Sequence, residues 1–309
     1  MALNDLSTTW TGIDADGFYS LAVLTGDSKQ YFRQMANVKH KKKVASLQLS
    51  GSILQAGDGC TISESGDHTI DDVTVEVCDF AINLPLCTAD YEDMYLSETL
   101  KPGSNVEQNF PAGLVDYIKN QIQEEVNADV EYITWQGDTA ASPPDLCDGI
   151  LKKLLADVSV VDVASPLTLS ESNIVSELTR IVKLIPKIVR SKKQKNKIKI
   201  FMSVNAGTYL ELGLYAATPA IYAYNRDEMK LQFAGYECIV SPGLPNSTIV
   251  VCDPDNLIFA TDLAADEKTL EFKQNPLPGK ERQYNFIGYF KMGFQIVRGS
   301  EILLYGGAA

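Results

Sequence analysis

Histidine is almost missing from this chain: His40 and His68 are the only two in 309 residues. That excludes a multi-histidine metal site and leaves little for histidine-dependent acid–base catalysis. His40 lies within a lysine cluster and His68 in a polar turn, so both read as solvated. No Gly-x-Ser-x-Gly elbow presents a nucleophile. No Gly-x-x-x-x-Gly-Lys-Ser/Thr or Gly-x-Gly-x-x-Gly loop opens a helix. Adjacent acids such as Asp71-Asp72 and Glu124-Glu125 point apart on a strand or helix and read as surface charge. The cysteines (Cys60, Cys78, Cys87, Cys147, Cys238 and Cys252) form no Cys-x-x-Cys pair, and only Cys60 has a histidine, His68, nearby. Zinc ligands are set closer than this. No catalytic residue, cofactor or metal ligand is therefore expected.

Long apolar runs are also missing. The most apolar stretch, Leu210–Tyr224, is interrupted by Glu211 and Pro219, short of the roughly 18 residues of a membrane helix. The N-terminal Met-Ala-Leu-Asn-Asp carries neither the positive charge nor the apolar core of a signal peptide. Folding in the cytosol is the expectation. The cysteines should then be mostly buried, reduced thiols rather than structural disulfides. Positive charge is scarce, with 27 Lys and Arg against 40 Asp and Glu and a net charge of −13. Such a surface does not wrap nucleic acid. The cations gather in two places: Lys39, Lys41, Lys42 and Lys43, and a run of seven from Lys187 to Lys199 that includes Arg190. Neither is interleaved with the aromatics of a strand-binding groove. They read either as solvated turns or as contacts with acids such as Asp90, Glu92 and Asp93 on a neighbouring copy.

What is present is a mixed α and β pattern. Residues 1 to about 30 are polar and irregular. Asp14-Ala15-Asp16-Gly17 opens like a calcium loop but lacks the later ligands. An extended arm that buries Trp10, Ile13, Phe18 and Tyr19 against a neighbour suits the segment better. From 38 to 82 the pattern is β. Val44–Leu49 alternates partly, Val73, Val75 and Val77 alternate cleanly, and a polar tip from Gln55 to Asp72 joins them. Such a two-stranded ribbon needs something to lie on. Asp90–Leu96 reads as a short acidic helix or turn. Asn109 and Pro111 start a helix whose face carries Leu114, Val115, Ile118, Ile122 and Val126, expected over 111–128. Val130–Asp138 is expected as a strand and turn, followed by a Pro143-Pro144 loop and a helix opened by Asp148-Gly149-Ile150-Leu151.

The second half opens with Ser170, expected as the cap of a helix bearing Ile174, Leu178, Ile181, Val182 and Ile185, which Pro186 ends. A core strand, Ile198–Met202, and a helix opened by Asn205 and Thr208 complete a compact α/β unit. Strands are expected at Phe233–Ser241, Ile249–Cys252, Leu257–Phe259 and Leu270–Phe272. Asn275–Gly279 breaks the chain. Asn285–Val297 is the strongest strand signal: Phe286, Phe290, Met292, Phe294 and Ile296 share one face, with Gly288 in the missing place. Its reach of about 43 Å at roughly 3.3 Å per residue is long for a compact domain.

Leu184–Arg190 followed by Met202-Ser203-Val204-Asn205 and Tyr209-Leu210, then Phe233–Ser241 and Ile249–Pro254, resembles in order and spacing the A-domain of tailed-phage major capsid proteins of the Hong Kong 97 type. Gln136-Gly137-Asp138 and Asp148–Leu151 are similar to that family's passage between domains. The resemblance implies an α+β capsid fold. Its parts would be an N-terminal arm (1–37), an E-loop hairpin (38–82), a P-domain (83–140) with the spine helix 111–128, an A-domain (141–256), P-domain strands (257–298) and a C-terminal return to the A-domain (299–309). It implies a structural protein, not an enzyme. Pentamers and hexamers of it would close an icosahedral shell around double-stranded DNA, in a virion assembled in the host cytoplasm. Partners would be further copies, portal and scaffold proteins, and decoration proteins, with no membrane. With no long helical scaffold segment before the arm, the expectation is either a separate scaffolding protein or a chain that begins after processing, the second disfavoured by Met1. Some capsids of this fold join a Lys to an Asn through a Glu, but no residue pattern here selects such a trio. The contact residues implied are Lys39, Lys41, Lys42, Lys43, Trp10, Phe18, Asp90, Glu92, Asp93 and Arg190. Two other readings stay open: an encapsulin-type nanocompartment shell, and a cytosolic α/β enzyme with a site built from scattered acids.

Overall fold

The computed structural model describes residues 8–10, 28–54, 65–87, 112–141, 145–186, 190, 197–217, 224–225, 230–262, 270–275 and 283–306. The first half contributes strands β1 (Thr8–Trp10), β2 (Arg33–Met35), β3 (Lys41–Ser50), β4 (Asp67–Glu76) and β5 (Cys78–Cys87), then helix α1 (Ala112–Gln136) and helix α2 (Ile150–Ala156). The middle holds β6 (Val161–Asp162), α3 (Ile174–Leu184), β7 (Lys199–Met202), α4 (Val204–Ala217), β8 (Tyr224–Asn225), β9 (Lys230–Phe233) and β10 (Tyr236–Val240). The chain closes with β11 (Ile249–Cys252), β12 (Leu257–Thr261), β13 (Leu270–Gln274), β14 (Gln283–Ile296) and β15 (Leu303–Tyr305).

A seven-stranded sheet of order β6-β15-β11-β7-β10-β9-β8 is buried on both faces at its centre. Alternation does this. Ile200, Met202, Ile249, Val251, Leu303 and Tyr305 point to α3 and α4, where Leu178, Ile181 and Leu210 meet them. Phe201, Val250, Cys252 and Leu304 point the other way, to Trp135, Ile150 and Leu154. Between β9 and β10 the turn residues Ala234 and Gly235 both have positive φ, the geometry a two-residue hairpin loop requires. The α3–β7–α4 unit lies where the sequence puts it, but α3 begins at Ile174 rather than Ser170. Asn173 is its N-cap, and Ser170 instead closes the preceding turn, accepting from the Ile174 amide through its carbonyl at 3.0 Å.

The second sheet is organised by β14, whose 14 residues extend about 46 Å at 3.3 Å each. β5 pairs with it over Gln283–Met292, while β13 and β12 follow one another along the opposite edge. Tyr284, Phe286, Phe290, Met292, Phe294 and Ile296 are buried, as the alternation predicts. Ile118 and Ile122 of α1 cover the Tyr284–Phe286 end; Val130 and Trp135 join the core at the other.

Two expectations fail here. Val130–Trp135 is not a strand but the last turns of α1, a 25-residue helix about 37 Å long. Its residues are β-branched and aromatic, but Ile118, Ile122, Val126, Val130 and Thr134 keep stepping by four along the packed face, and packing outweighs propensity. Strand β5 also runs past residue 82 to Cys87. Its Pro85 is tolerated because, among the described residues, β5 pairs only with β14.

Candidate functional site

The β3–β4 hairpin pairs in strict register from Lys41↔Glu76 to Ser50↔Asp67. Directly opposed residues share a face, so the ribbon has two different sides. At its root, Val75 is fully buried and packs with Val38, Val77, Ile258 and Ala260 on the back of β12, with Val44 beside them. The Val77 amide donates to the His40 carbonyl at 3.1 Å. Gly293 of β14 lies under this root, and a Cβ there would overlap the Glu76 carbonyl oxygen. Gln295 donates to the Thr74 carbonyl at 2.7 Å. Arg298 reaches further out, donating to Ser46 Oγ at 2.9 Å and to the Leu47 carbonyl at 2.8 Å.

Beyond Arg298 the ribbon leaves the body. Leu47 faces Ile70 across the strands, Leu49 is next on the same side, and Ile53 and Leu54 follow at the tip. They are 52%, 61%, 60%, 58% and 91% exposed, and unlike other exposed apolar residues of the chain they fall together along one projecting element. Gly51 and Gly66, both with positive φ, close the ribbon there. A contiguous apolar stripe on a projecting element marks a surface that is covered in use.

The lysine cluster divides. Lys41 pairs with Glu76, and Lys43 with Asp72 at 3.2 Å, so both are taken up across the ribbon. The Lys41 hydrogen bond lowers the Glu76 pKa. Lys39 and Lys42 are exposed. Arg190 donates to the carbonyls of Ile185, at 3.0 Å, and of Lys183, closing the C-terminal end of α3. The backbone of β1 pairs antiparallel with β13 of the same chain, Trp10 opposite Leu270. Phe18, Asp90, Glu92 and Asp93 lie outside the described residues.

Three arrangements were not anticipated. The first anchors the chain where the N-terminal segment meets the body. Trp135 Nε1 donates to Ser28 Oγ at 3.0 Å, and Ser28 donates to Glu131 Oε1, which also accepts from Ser241 Oγ at 2.6 Å. Ser28, Glu131 and Ser241 are all buried. No local pattern in the sequence marked Glu131, and reading 130–138 as a strand removed the helical spacing that sets it one turn from Trp135. The second fixes the loop between α1 and α2. Lys152 Nζ sits 2.5 Å from Asp138 Oδ1 and 2.6 Å from Asp148 Oδ1, while the amide and hydroxyl of Thr139 donate to Asp148 at 2.9 and 2.7 Å. Partial burial pushes the Asp148 carboxyl up, but these donors outweigh it and hold it at about 2.

The third overturns the expectation of reduced thiols: Cys78 and Cys147 form a disulfide, with Cα atoms 5.9 Å apart. Their sequence separation of 69 left no spacing motif to read. Cys238 and Cys252 are free and buried, and burial raises their pKa values, to about 12 for Cys238. Among the described residues no group of His, Cys, Asp or Glu is placed to hold a metal, and no helix is long and apolar enough to cross a membrane.

The described architecture is thus a projecting ribbon with an exposed apolar side, rooted on a long sheet, and a second sheet buried on both faces at its centre. Solved structures similar to it include chains of capsids and phages. A chain in the capsid of an empty GTA particle is 16% identical with a TM-score of 0.59, covering 94% of this chain and 91% of that one. A chain in the satellite phage P4 procapsid that includes the size determination (Sid) protein is 11% identical with a TM-score of 0.56, covering 94% and 98%. One from Gordonia phage Cozz is 11% identical with a TM-score of 0.57, covering 91% and 85%. No family model matches the chain, and no curated protein matches it. The chain shares its fold with these phage capsid structures over about nine-tenths of its length.

Proposed function

We propose that this chain is the structural major capsid protein of a tailed bacteriophage, of the Hong Kong 97 type, which assembles from pentamers and hexamers into an icosahedral shell around double-stranded DNA. The observation that carries this is the exposed stripe of Leu47, Leu49 and Ile70 on a ribbon whose root alone is buried in its own chain. On this reading the hairpin is the E-loop, and its stripe lies on the next subunit. Helix α1 is the spine of the P-domain with the long β14 sheet beside it, and the seven-stranded sheet with α3 and α4 is the A-domain. Residues 1–37 form the arm, with Trp10 and Phe18 as contacts. Lys39 and Lys42 steer the approach towards acids such as Asp90, Glu92 and Asp93 of a neighbour, a role that speeds encounter more than it deepens affinity. Many weak contacts of this kind, each raising the effective concentration for the next, make a stable shell. Portal, scaffold and decoration proteins are the further partners, and assembly takes place in the host cytoplasm.

Negative-stain electron microscopy and sedimentation of the purified protein test this. Closed shells, or rings of five and six, are expected. Ile70→Asp places a charge in the middle of the stripe and should abolish assembly while leaving a folded subunit by circular dichroism, because position 70 is exposed in the lone chain. A wild-type protein that stays monomeric near 34 kDa even with the other proteins of its source would sink the reading, as would Ile70→Asp subunits that assemble normally.

A further inference from the structure

We infer that the Cys78–Cys147 bond is a redox-set staple that fixes the root of the hairpin once the subunit has left a reducing environment. The inference rests on the shell reading above and concerns how its docking element is held.

The bond joins the first residue past the hairpin's pivot to the connection between α1 and α2. Glu76 ends β4, Cys78 opens β5, and Val77 between them is where the ribbon departs from the long sheet. Cys147 belongs to a part of the chain that is held on every side. The Gly149 amide donates to the Gly137 carbonyl at 2.7 Å, a Cβ on Gly137 would overlap the Cys147 carbonyl oxygen, and the neighbouring Asp148 is gripped by Lys152 and Thr139. The bond therefore ties the corner from which the ribbon departs to the α1–α2 connection. Outside the root, the hairpin's attachments to its own body include the Gln295 and Arg298 hydrogen bonds, which solvent can replace. The angle at which the ribbon projects is set at Val75, Val77 and Cys78. A subunit that must meet neighbours at more than one angle benefits from a root that gives during assembly and is locked afterwards.

The chemistry is reversible and balanced. With the fold holding the two Cα atoms 5.9 Å apart, within the range a disulfide spans, reduction need not move the backbone. Re-formation needs a two-electron oxidant, here a low-molecular-weight disulfide. The thiolate of Cys78, the less buried partner, attacks one of its sulfurs and releases one small thiol. The Cys147 thiolate then displaces the second from the mixed disulfide. Two S–H bonds and one small disulfide are exchanged for the protein disulfide and two small thiols. Cytosolic thiol pools drive this backwards, and oxidising surroundings outside the cell drive it forwards.

The experiment traps thiols with N-ethylmaleimide in intact producing cells and, separately, in particles released from them, and locates the label by peptide mass. The expected result is Cys78 and Cys147 alkylated in the cell and linked in the particle. Hydrogen exchange at the Val77 amide is then followed with and without a phosphine reductant, on the wild-type chain and on the Cys78→Ala/Cys147→Ala double variant. Reduction should speed that exchange by about tenfold or more in the wild type and leave the variant unchanged. A pair already linked inside the cell, or exchange at Val77 that ignores reduction, would overturn the staple. Failure to form shells would instead remove the assembly reading, because exchange on the lone subunit still decides whether the bond controls the root.

Discussion

Glu131 illustrates how much a single buried acid organises. Its Oε1 accepts from Ser28 and from Ser241, joining the end of the N-terminal segment, helix α1 and the loop after β10 at one atom. Glu131→Ala would remove the shared acceptor, and Ser28 Oγ and Ser241 Oγ, 2.8 Å apart, could then satisfy only one of the two hydroxyl donors in a closed interior. The expected loss of stability is about 1–3 kcal/mol, the cost of unsatisfied buried donors. Glu131→Gln keeps an acceptor oxygen and should cost clearly less. Denaturant unfolding of the two variants checks the order, and equal losses would count against the hydrogen-bonded lock. Asp148 gives a pH dependence. Its carboxyl is held at about 2 against an ordinary value of 3.8, so the folded chain binds that proton less readily than the unfolded one. The stabilisation is complete above the ordinary value and disappears as pH falls through about 2. Partial exposure and solvent screening keep it small. Thermal midpoints measured from pH 5 down to pH 2 should fall less steeply in Asp148→Asn than in the wild type. An identical slope would show that the Lys152 grip contributes nothing.

At the scale of elements, legibility followed the strength of local pattern. β14 could be read with its faces correctly assigned because its alternation extends over many residues, and α4 was legible to within a residue of its start at Val204, where Ser203 caps it: the Ala206 amide lies 3.3 Å from Ser203 Oγ. The hairpin was visible as two alternating runs around polar residues, although β4 reaches back to Asp67 and takes in a third of what read as tip. The end of α1 was misread because Val130, Tyr132, Ile133 and Trp135 favour strands locally, and only the packing against Phe32 and Phe201 makes them helix. The disulfide and the Ser28–Glu131–Ser241 lock could not be seen at all. Both join residues tens to hundreds of positions apart, and no local period records such a contact. The stripe itself was present in the sequence as Leu47, Leu49 and Ile70, but its exposure follows from where the root docks, on β12 and over Gly293.

For the whole molecule, charge and apolar contact pull assembly in opposite directions, and ionic strength separates them. Each copy carries a net charge of −13, so bringing copies together is opposed by repulsion acting over about 10 Å in 0.1 M salt and about 3 Å in 1 M. The stripe on the hairpin gains by burial, which salt does not screen. Of the cations near it, Lys41 and Lys43 are already neutralised within the ribbon, leaving Lys39 and Lys42 to attract acids on a neighbour. Two such pairs at the surface are worth little beside the repulsion of whole subunits. Assembly of the purified chain, followed by light scattering and sedimentation, should therefore increase as salt is raised from low ionic strength to about 0.5 M, where charges are screened within a few ångströms. Ile70→Asp should remain unassembled across the same range. Wild-type shells that instead fall apart with added salt would mean that ion pairs, with Lys39 and Lys42 foremost, hold the copies together and that the apolar stripe is secondary.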